Sequence, residues 1–408
     1  MEAIVERSAG LDVHQATVVA CVLTGAADRR ARKELRTFGT TTKELEELRD
    51  WMLEHGCTHV GMESTGVYWM PVYAVLEGHF DLIVGNAAHV KNVPGRKTDM
   101  KDAEWLAELV RMGLMRKSFV PPPWQRALRD LVRYRRKLVE SEVTERNRTM
   151  RLLETCNIKL SSVAANVFGV SGRAMLRALI EGSTTPAEMA ELARGRLRQK
   201  NKELALALHG RVEAQHRFVL AMQLERVERI EADIAKIDAR IDEALEPHRE
   251  VMTRLAQVPG VDRVVAMTVI AELGIDMSVF PTAGHAAAWA GVSPGNHESA
   301  GKRKEVSKRH GNVHLTSALV QAAMCASRKK GCYLKERFWR LAARRGRKRA
   351  AIAVAHSILV AIYEMLRRSE DYRDLGPSYL DRVDKAKTKK HLVKRLEALG
   401  YKVSVEAA

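Results

Sequence analysis

Three consecutive prolines, Pro121, Pro122 and Pro123, constrain the fold of this chain more than any other feature. Each fixes φ and removes an amide donor, so neither a helix nor a central strand runs through all three. The hydrophobic pattern changes across them. Before the break, short β-branched runs alternate with helical segments, which is the pattern of an α/β domain. After it, the three- and four-residue period of helices dominates. A length of 408 residues suits two or three domains. The pattern gives an α/β segment over 1–122, a helical and coiled-coil connector over 123–250, a mainly α segment over 251–370 and a basic polar tail over 371–408. The tail, with its lysines from Lys385 to Lys390, is polar and is expected to be partly disordered.

In the first segment a strand ends near Asp12, and residues 17–24 follow closely enough to be its antiparallel partner. Residues 36–40 read as a third strand, 59–64 as a fourth and 82–85 as a fifth. Thr41 or Thr42 can cap a helix through Leu53, ended by Gly56. A last helix carries Asp99 and Asp102 and runs to about Met112, with Gly113 after it. Open sheets place their sites at the carboxyl ends of strands. Asp12 and Glu63 both fall there, and Asp99 and Asp102, three apart, share one helix face. A single acidic residue at a strand end is more often a turn or a cap. Four that converge repel one another unless a cation lies between them. Hard oxygen ligands point to Mg²⁺ or Mn²⁺, the ions that cut and join phosphodiesters. His14, two residues from Asp12, could tune or approach the metal, but reads first as a solvent-facing strand residue.

Charge points the same way. Lys and Arg number 68 against 50 Asp and Glu, a net charge of +18. Residues 301–350 hold 16 Lys or Arg and 2 Glu, so most of the excess sits in one stretch that favours a polyanion. Within it, Arg344, Arg345, Arg347, Lys348 and Arg349 suit phosphate contacts and offer little to base edges. Aromatics at 5% make base stacking a minor theme. The five cysteines contain no C-x-x-C pair, which excludes a disulfide framework or zinc knuckle as the organising device. No signal peptide opens the chain and no 18-residue apolar run occurs, so a soluble cytoplasmic protein with no membrane partner is expected.

In the connector, Leu220, Leu224, Val227, Ile230, Ile234, Ile237, Ile241 and Leu245 form an apolar seam. It fits a neighbouring helix of the same chain or a second copy equally well. Further on, residues 259–262, Pro-Gly-Val-Asp, have the look of a helix-hairpin-helix turn with Asp262 in place of the usual second glycine, and read as a structural turn. Residues 291–312 then set Ser299 among small residues just before Lys302, Arg303 and Lys304. A serine hydroxyl needs activation and positive charge to attack a phosphate, and the cluster supplies the charge. The stretch is not a P-loop. Gly295 and Gly301 enclose five residues instead of four, and Arg303 stands where Ser or Thr is required. His310 and His314 have helical metal-ligand spacing but no third ligand nearby.

Together these motifs resemble the DEDD transposases of bacterial insertion sequences, relatives of the Piv-type invertases and a family of bridge-RNA-guided serine recombinases. The resemblance covers nearly the whole chain. It rests on Glu63-Ser64-Thr65-Gly66-Val67-Tyr68, on Lys97-Thr98-Asp99 with Asp102-Ala103, on Ala290 to Pro294 with Glu298-Ser299, and on Lys308 with Gly311-Asn312. Ala300 stands where many members have glycine directly after the serine. The resemblance implies a RuvC-like (ribonuclease H-like) first domain in which Asp12, Glu63, Asp99 and Asp102 bind Mg²⁺ or Mn²⁺. It makes Ser299 the nucleophile of a transient phosphoserine link to DNA, and Lys302, Arg303, Lys304, Lys308 and Arg309 neighbours of the nucleic acid. It implies donor and target DNA, a structured guide RNA, and a dimer or tetramer in which one subunit's carboxylates complete another's serine site. Two other readings are a RuvC-like nuclease or resolvase using metal-activated water, and a non-catalytic nucleic-acid-binding factor.

Overall fold

The computed structural model describes residues 4–64, 66–86, 90, 102–293, 298–299, 302–303, 311–383 and 385–406. The chain forms two compact units, Met1–Pro121 and Pro122–Ala408, parted within the proline run.

The first unit is built on a five-stranded sheet of order β3-β2-β1-β4-β5. Its strands are β1 (Arg7–Val13), β2 (Thr17–Thr24), β3 (Arg32–Gly39), β4 (His59–Glu63) and β5 (Asp81–Gly85). The first three are antiparallel neighbours, whereas β1, β4 and β5 run parallel. Helix α1 (Thr42–Glu54) starts in a capping box, Thr41 accepting from the Glu44 amide while its own amide donates to the Glu44 carboxylate at 3.1 Å. Gly56, at φ +64°, turns the chain out of it. Helix α2 (Trp69–Leu76) was not expected from the sequence, because Pro71 interrupts the pattern. A proline in a first turn removes an amide that has no helical partner there, so it is tolerated.

Strand alternation assigns the two faces of the sheet. Ala9, Leu11, Val60, Met62, Leu82 and Val84 pack with residues of α1 and α2 on one face. Ser8, Gly10 and Gly61 turn to the other, which helix α3 (Asp102–Arg111) covers. A Cβ on Gly10 would lie 2.2 Å from the Ala103 carbonyl oxygen and 2.2 Å from the Ala107 amide, so glycine is what lets α3 rest directly on β1. The other end of α3 is fixed by Arg111, buried to 2% exposure, whose guanidinium donates to the carbonyls of Glu6, Gly25, Ala26 and Arg29.

In the second unit, helix α4 (Pro123–Thr155) opens on Pro123 at its first position, where a proline fits. After an insert containing α5 (Val170–Glu181), helix α6 (Ala214–Leu245) returns along it. Arg135 meets Asp238 at 2.7 Å and Arg146 meets Glu231 at 2.8 Å, so the two helices are antiparallel. The α6 seam is covered within the chain. Leu220, Leu224 and Val227 join the core of the insert, Ile237, Ile241 and Leu245 are buried, and Ile230 and Ile234 are half-buried.

The longer helices that follow before the tail are α7 (Arg263–Glu272), α8 (Val313–Ala326), α9 (Tyr333–Arg345) and α10 (Arg347–Arg368), with short helices over Arg249–Leu255 before α7 and Ala283–Trp289 after it. The 259–262 turn is held by packing. A Cβ on Gly260 would lie 2.1 Å from the Ala322 carbonyl oxygen of α8, and the Asp262 carboxylate caps α7 by accepting from Val265 at 2.9 Å. Among the described residues one helix, α10, is long and apolar enough to cross a membrane. Half of its apolar window is buried inside this unit. The polar tail is partly helical. It holds helices over Tyr379–Val383 and Lys385–Ala398, the second rich in the strong helix formers Lys, Leu, Ala, Arg and Glu.

Candidate active site

The parity that buries Leu11 and Met62 on one face puts Asp12 and Glu63 on the other, the face covered by α3. The parallel register pairs Gly10 with Gly61 and Leu11 with Met62, so Asp12 and Glu63 come next on adjacent strands at their carboxyl ends. Helix α3 runs back over β1. Ser8 Oγ donates to Ala107 and Gly10 faces Ala103, which brings Asp102, the first residue of α3, to that same end. Three separate elements thus direct a carboxylate residue to one corner. Asp12 is about a third exposed and the exposed His14 sets Nε2 3.2 Å from its Oδ2. His14 is thus solvent-facing, as read from the sequence, and also touches a carboxylate of the corner. Asp99 lies outside the described residues, so its sharing of a helix face with Asp102 does too. Among the described residues no three His, Cys, Asp or Glu side chains close into a metal-holding group. The donor set is nonetheless one of hard carboxylate oxygens, which fits Mg²⁺ or Mn²⁺ by chemistry.

The serine segment lies in the second unit. Strands β6 (Glu298–Ser299) and β7 (Lys302–Arg303) form a two-rung antiparallel ladder, Ser299 opposite Lys302 and Glu298 opposite Arg303. Lys304, Lys308, Arg309 and His310 lie outside the described residues. The base of the segment is closed. A Cβ on Gly311 would lie 2.4 Å from the Gly291 nitrogen, so the incoming and outgoing backbones touch there. The Asn312 amide donates to Trp289 at 3.1 Å, and Thr316 Oγ1 donates to Ala290.

Asn312 is also the N-cap of α8, accepting from Leu315 at 2.9 Å, while its Nδ2 donates to Glu272 at 2.6 Å. Glu272, at 0% exposure, receives a two-pronged bond from Arg133 at 2.7 and 2.9 Å and a contact from Arg129 at 3.1 Å. Arg129 further donates to the carbonyls of Ala271 and Glu272, satisfying the end of α7. Burial pushes the Glu272 carboxyl up, but the Arg133 and Arg129 guanidiniums and the Asn312 amide outweigh it and hold it below the usual carboxylate range. Sequence reading missed this network. Its signal was a lone carboxylate in an apolar run, with Arg129 and Arg133 four apart on one helix face.

His314, in the first turn of α8, has a buried Nδ1 with no hydrogen-bond partner, and burial with the cations Arg133, Arg136 and Lys137 lowers its pKa. Those cationic surroundings do not suit a metal ligand. Arg344 and Arg345 end α9, whereas Arg347, Lys348 and Arg349 occupy the first turn of α10; all five are exposed. Cations at a helix N-terminus oppose the helix dipole, at roughly 0.3–1 kcal/mol each. No acidic residue relieves them in that turn. The Arg347 guanidinium stands 5.4 Å over the Trp339 ring.

Known proteins carry the same pattern. A family model described as "Transposase", for the DEDD type of the IS110 elements, matches residues 9–158, and one described as "Transposase IS116/IS110/IS902 family" matches residues 252–339. The chain is 28% identical over 343 residues to the "Probable family 20 transposase" of Pseudomonas aeruginosa, covering 80% of this chain and 89% of that protein. It is 34% identical over 129 residues to the "Transposase for insertion sequence element IS1111A" of Coxiella burnetii, covering 29% of this chain and 34% of the relative. With a carboxylate corner on a mixed sheet in its first unit and a second family match across the helices of its second, the chain belongs to the IS110-family DEDD transposases, enzymes of DNA strand transfer.

Proposed function

We propose that this transposase is a site-specific recombinase that exchanges DNA strands through a phosphoserine intermediate on Ser299, guided by a structured RNA. The observation that carries the reading is the co-occurrence, in one chain, of the Asp12, Glu63 and Asp102 corner and a serine segment rooted on the Asn312–Glu272 network. Asp12, Glu63 and Asp102, with Asp99, hold the divalent ion of a RuvC-like domain; when bound, Mg²⁺ or Mn²⁺ polarises the phosphodiester oxygens. Ser299 Oγ attacks the scissile phosphorus, forming an O–P bond as the bond to the leaving strand hydroxyl breaks. The hydroxyl of an incoming strand reverses the step and frees the serine, so no phosphodiester energy is lost to water. Lys302 and Arg303, on the strand paired with that of Ser299, with Lys304, Lys308 and Arg309, balance phosphate charge. Arg344, Arg345, Arg347, Lys348 and Arg349 grip backbone without reading bases, which suits an enzyme whose target is chosen by RNA pairing. Assembly as a dimer or tetramer lets the carboxylates of one subunit serve the serine of another.

The test is a denaturing-gel search for covalent protein–DNA adducts, with Mg²⁺, labelled junction and target DNA, and RNA transcribed from the ends of the element. An RNA-dependent adduct, absent in Ser299→Ala and in Asp102→Asn, is expected. Cleaved DNA without an adduct, unchanged in Ser299→Ala, would move the attack to water. Binding that is indifferent to divalent metal, without cleavage of any substrate, would point to a non-catalytic factor.

A further inference from the structure

The insert between α4 and α6 carries a feature that the strand-transfer chemistry does not use. Residues 194–202 place Arg194, Arg196, Arg198, Lys200 and Lys202 at alternate positions with no Asp or Glu among them. Three of them, Arg194, Arg196 and Lys200, line an open groove of about 540 Å³ with Asn166, Ser171 and apolar residues such as Val163 and Val170. No carboxylate and no aromatic ring lines it. The backbone of the run is fixed, because the Arg194 amide donates to Ser171 Oγ at 2.9 Å and Arg198 Nε donates to Ala193 at 3.2 Å. Leu197 packs against the core of the insert, so the cations are carried on an anchored segment.

The arginines that tie the connector helices together show the contrast. Arg135, Arg146, Arg173 and Arg177 are each matched to Asp238, Glu231 or Glu228. Arg194, Arg196 and Lys200 are exposed and have no acidic partner among the described residues. Like charges gathered without counter-charge repel one another, and a polyanion removes that cost. With no ring for a base to stack on, the groove suits phosphates and not bases.

We propose that this groove is a separate nucleic-acid contact, a seat for the phosphate backbone of a polynucleotide, remote in sequence from the serine segment and independent of its chemistry. The test is fluorescence anisotropy with full-length protein over a KCl series, using a labelled DNA duplex of arbitrary sequence and the RNA duplex of the same sequence. Each phosphate neutralised adds about 0.9 to the slope of log K against log salt on duplex DNA. The triple variant Arg194→Gln, Arg196→Gln, Lys200→Gln is therefore expected to flatten that slope by about 2 to 3. A control triple, Arg229→Gln, Lys236→Gln, Arg240→Gln, removes the same charge from α6, where each residue is already paired, and is expected to change it by less than about 1. Loss confined to RNA identifies RNA as the occupant, loss confined to DNA identifies DNA, and loss on both assigns a general backbone seat. Slopes for the groove variant equal to wild type, or to the control triple, on both duplexes would overturn the proposal. Since the assay needs no strand transfer, its result stands apart from that of the adduct test.

Discussion

Glu272→Ala is expected to destabilise the second unit by about 3 kcal/mol, the lower end of the cost of breaking a buried ion pair. It leaves the Arg129 guanidinium, 15% exposed, without its counter-charge. Arg133, 36% exposed, can turn to water, which is why the lower end applies. The same substitution removes the acceptor for Asn312, and with it the tie between α7 and the foot of the serine segment. Strand transfer should therefore fall further than the melting temperature alone explains. Glu272→Gln keeps the shape and loses the charge, so pH separates the two contributions. A carboxyl held below its unfolded pKa of about 4.3 contributes stability that is present above that value and is lost as pH falls through the folded value. Thermal melts should show a constant gap between wild type and Glu272→Gln from neutrality to about pH 5 that narrows below about pH 4. A gap that stays constant into strong acid would show that charge is not what Glu272 supplies.

Gly10→Ala should separate activity from folding most sharply. The added methyl meets two backbone atoms of α3 at 2.2 Å, and backbone cannot rotate out of the way. Overpacking of this kind costs about 1–3 kcal/mol, which a domain of this size can survive. The helix that must retreat begins at Asp102, however, and a misplacement near 1 Å can cost about a hundredfold in rate. Adduct formation is expected to drop on that scale while the protein still melts cooperatively. Gly61→Ala is the comparison. Its methyl meets Val110 Cγ2 at 2.4 Å and the Met115 sulfur at 2.9 Å, side-chain atoms that can yield. A smaller loss is expected there. Equal losses for the two variants, or none for Gly10→Ala, would mean that the seating of α3 does not set the carboxylate corner.

What the sequence revealed followed the range of its forces. Strand alternation, the Thr41 cap and the Gly56 stop act within a few residues, and each stands where the pattern put it. The edge positions of Asp12 and Glu63 needed only the period of two and the habit of open sheets. Helix α2 was obscured by a proline whose harm depends on which turn it occupies. The Glu272 network was illegible because it joins residues about 140 positions apart, Arg133 to Glu272, and neither residue predicts the other. The clean groove beside Arg194 was hidden for a related reason. Composition cannot tell a paired arginine from an unpaired one, and that distinction is made by folding.

Helix α4 has one further consequence. It is 33 residues long, about 50 Å at 1.5 Å per residue, with no glycine or proline after its first position. Near its start, Arg129 and Arg133 hold the foot of the serine segment through Glu272 and Asn312; at its far end, Leu153 is built into the core of the insert. The sequence puts no kink-forming residue between the two ends. One continuous helix therefore carries both ties, and its length sets how far the insert stands from the foot of the serine segment.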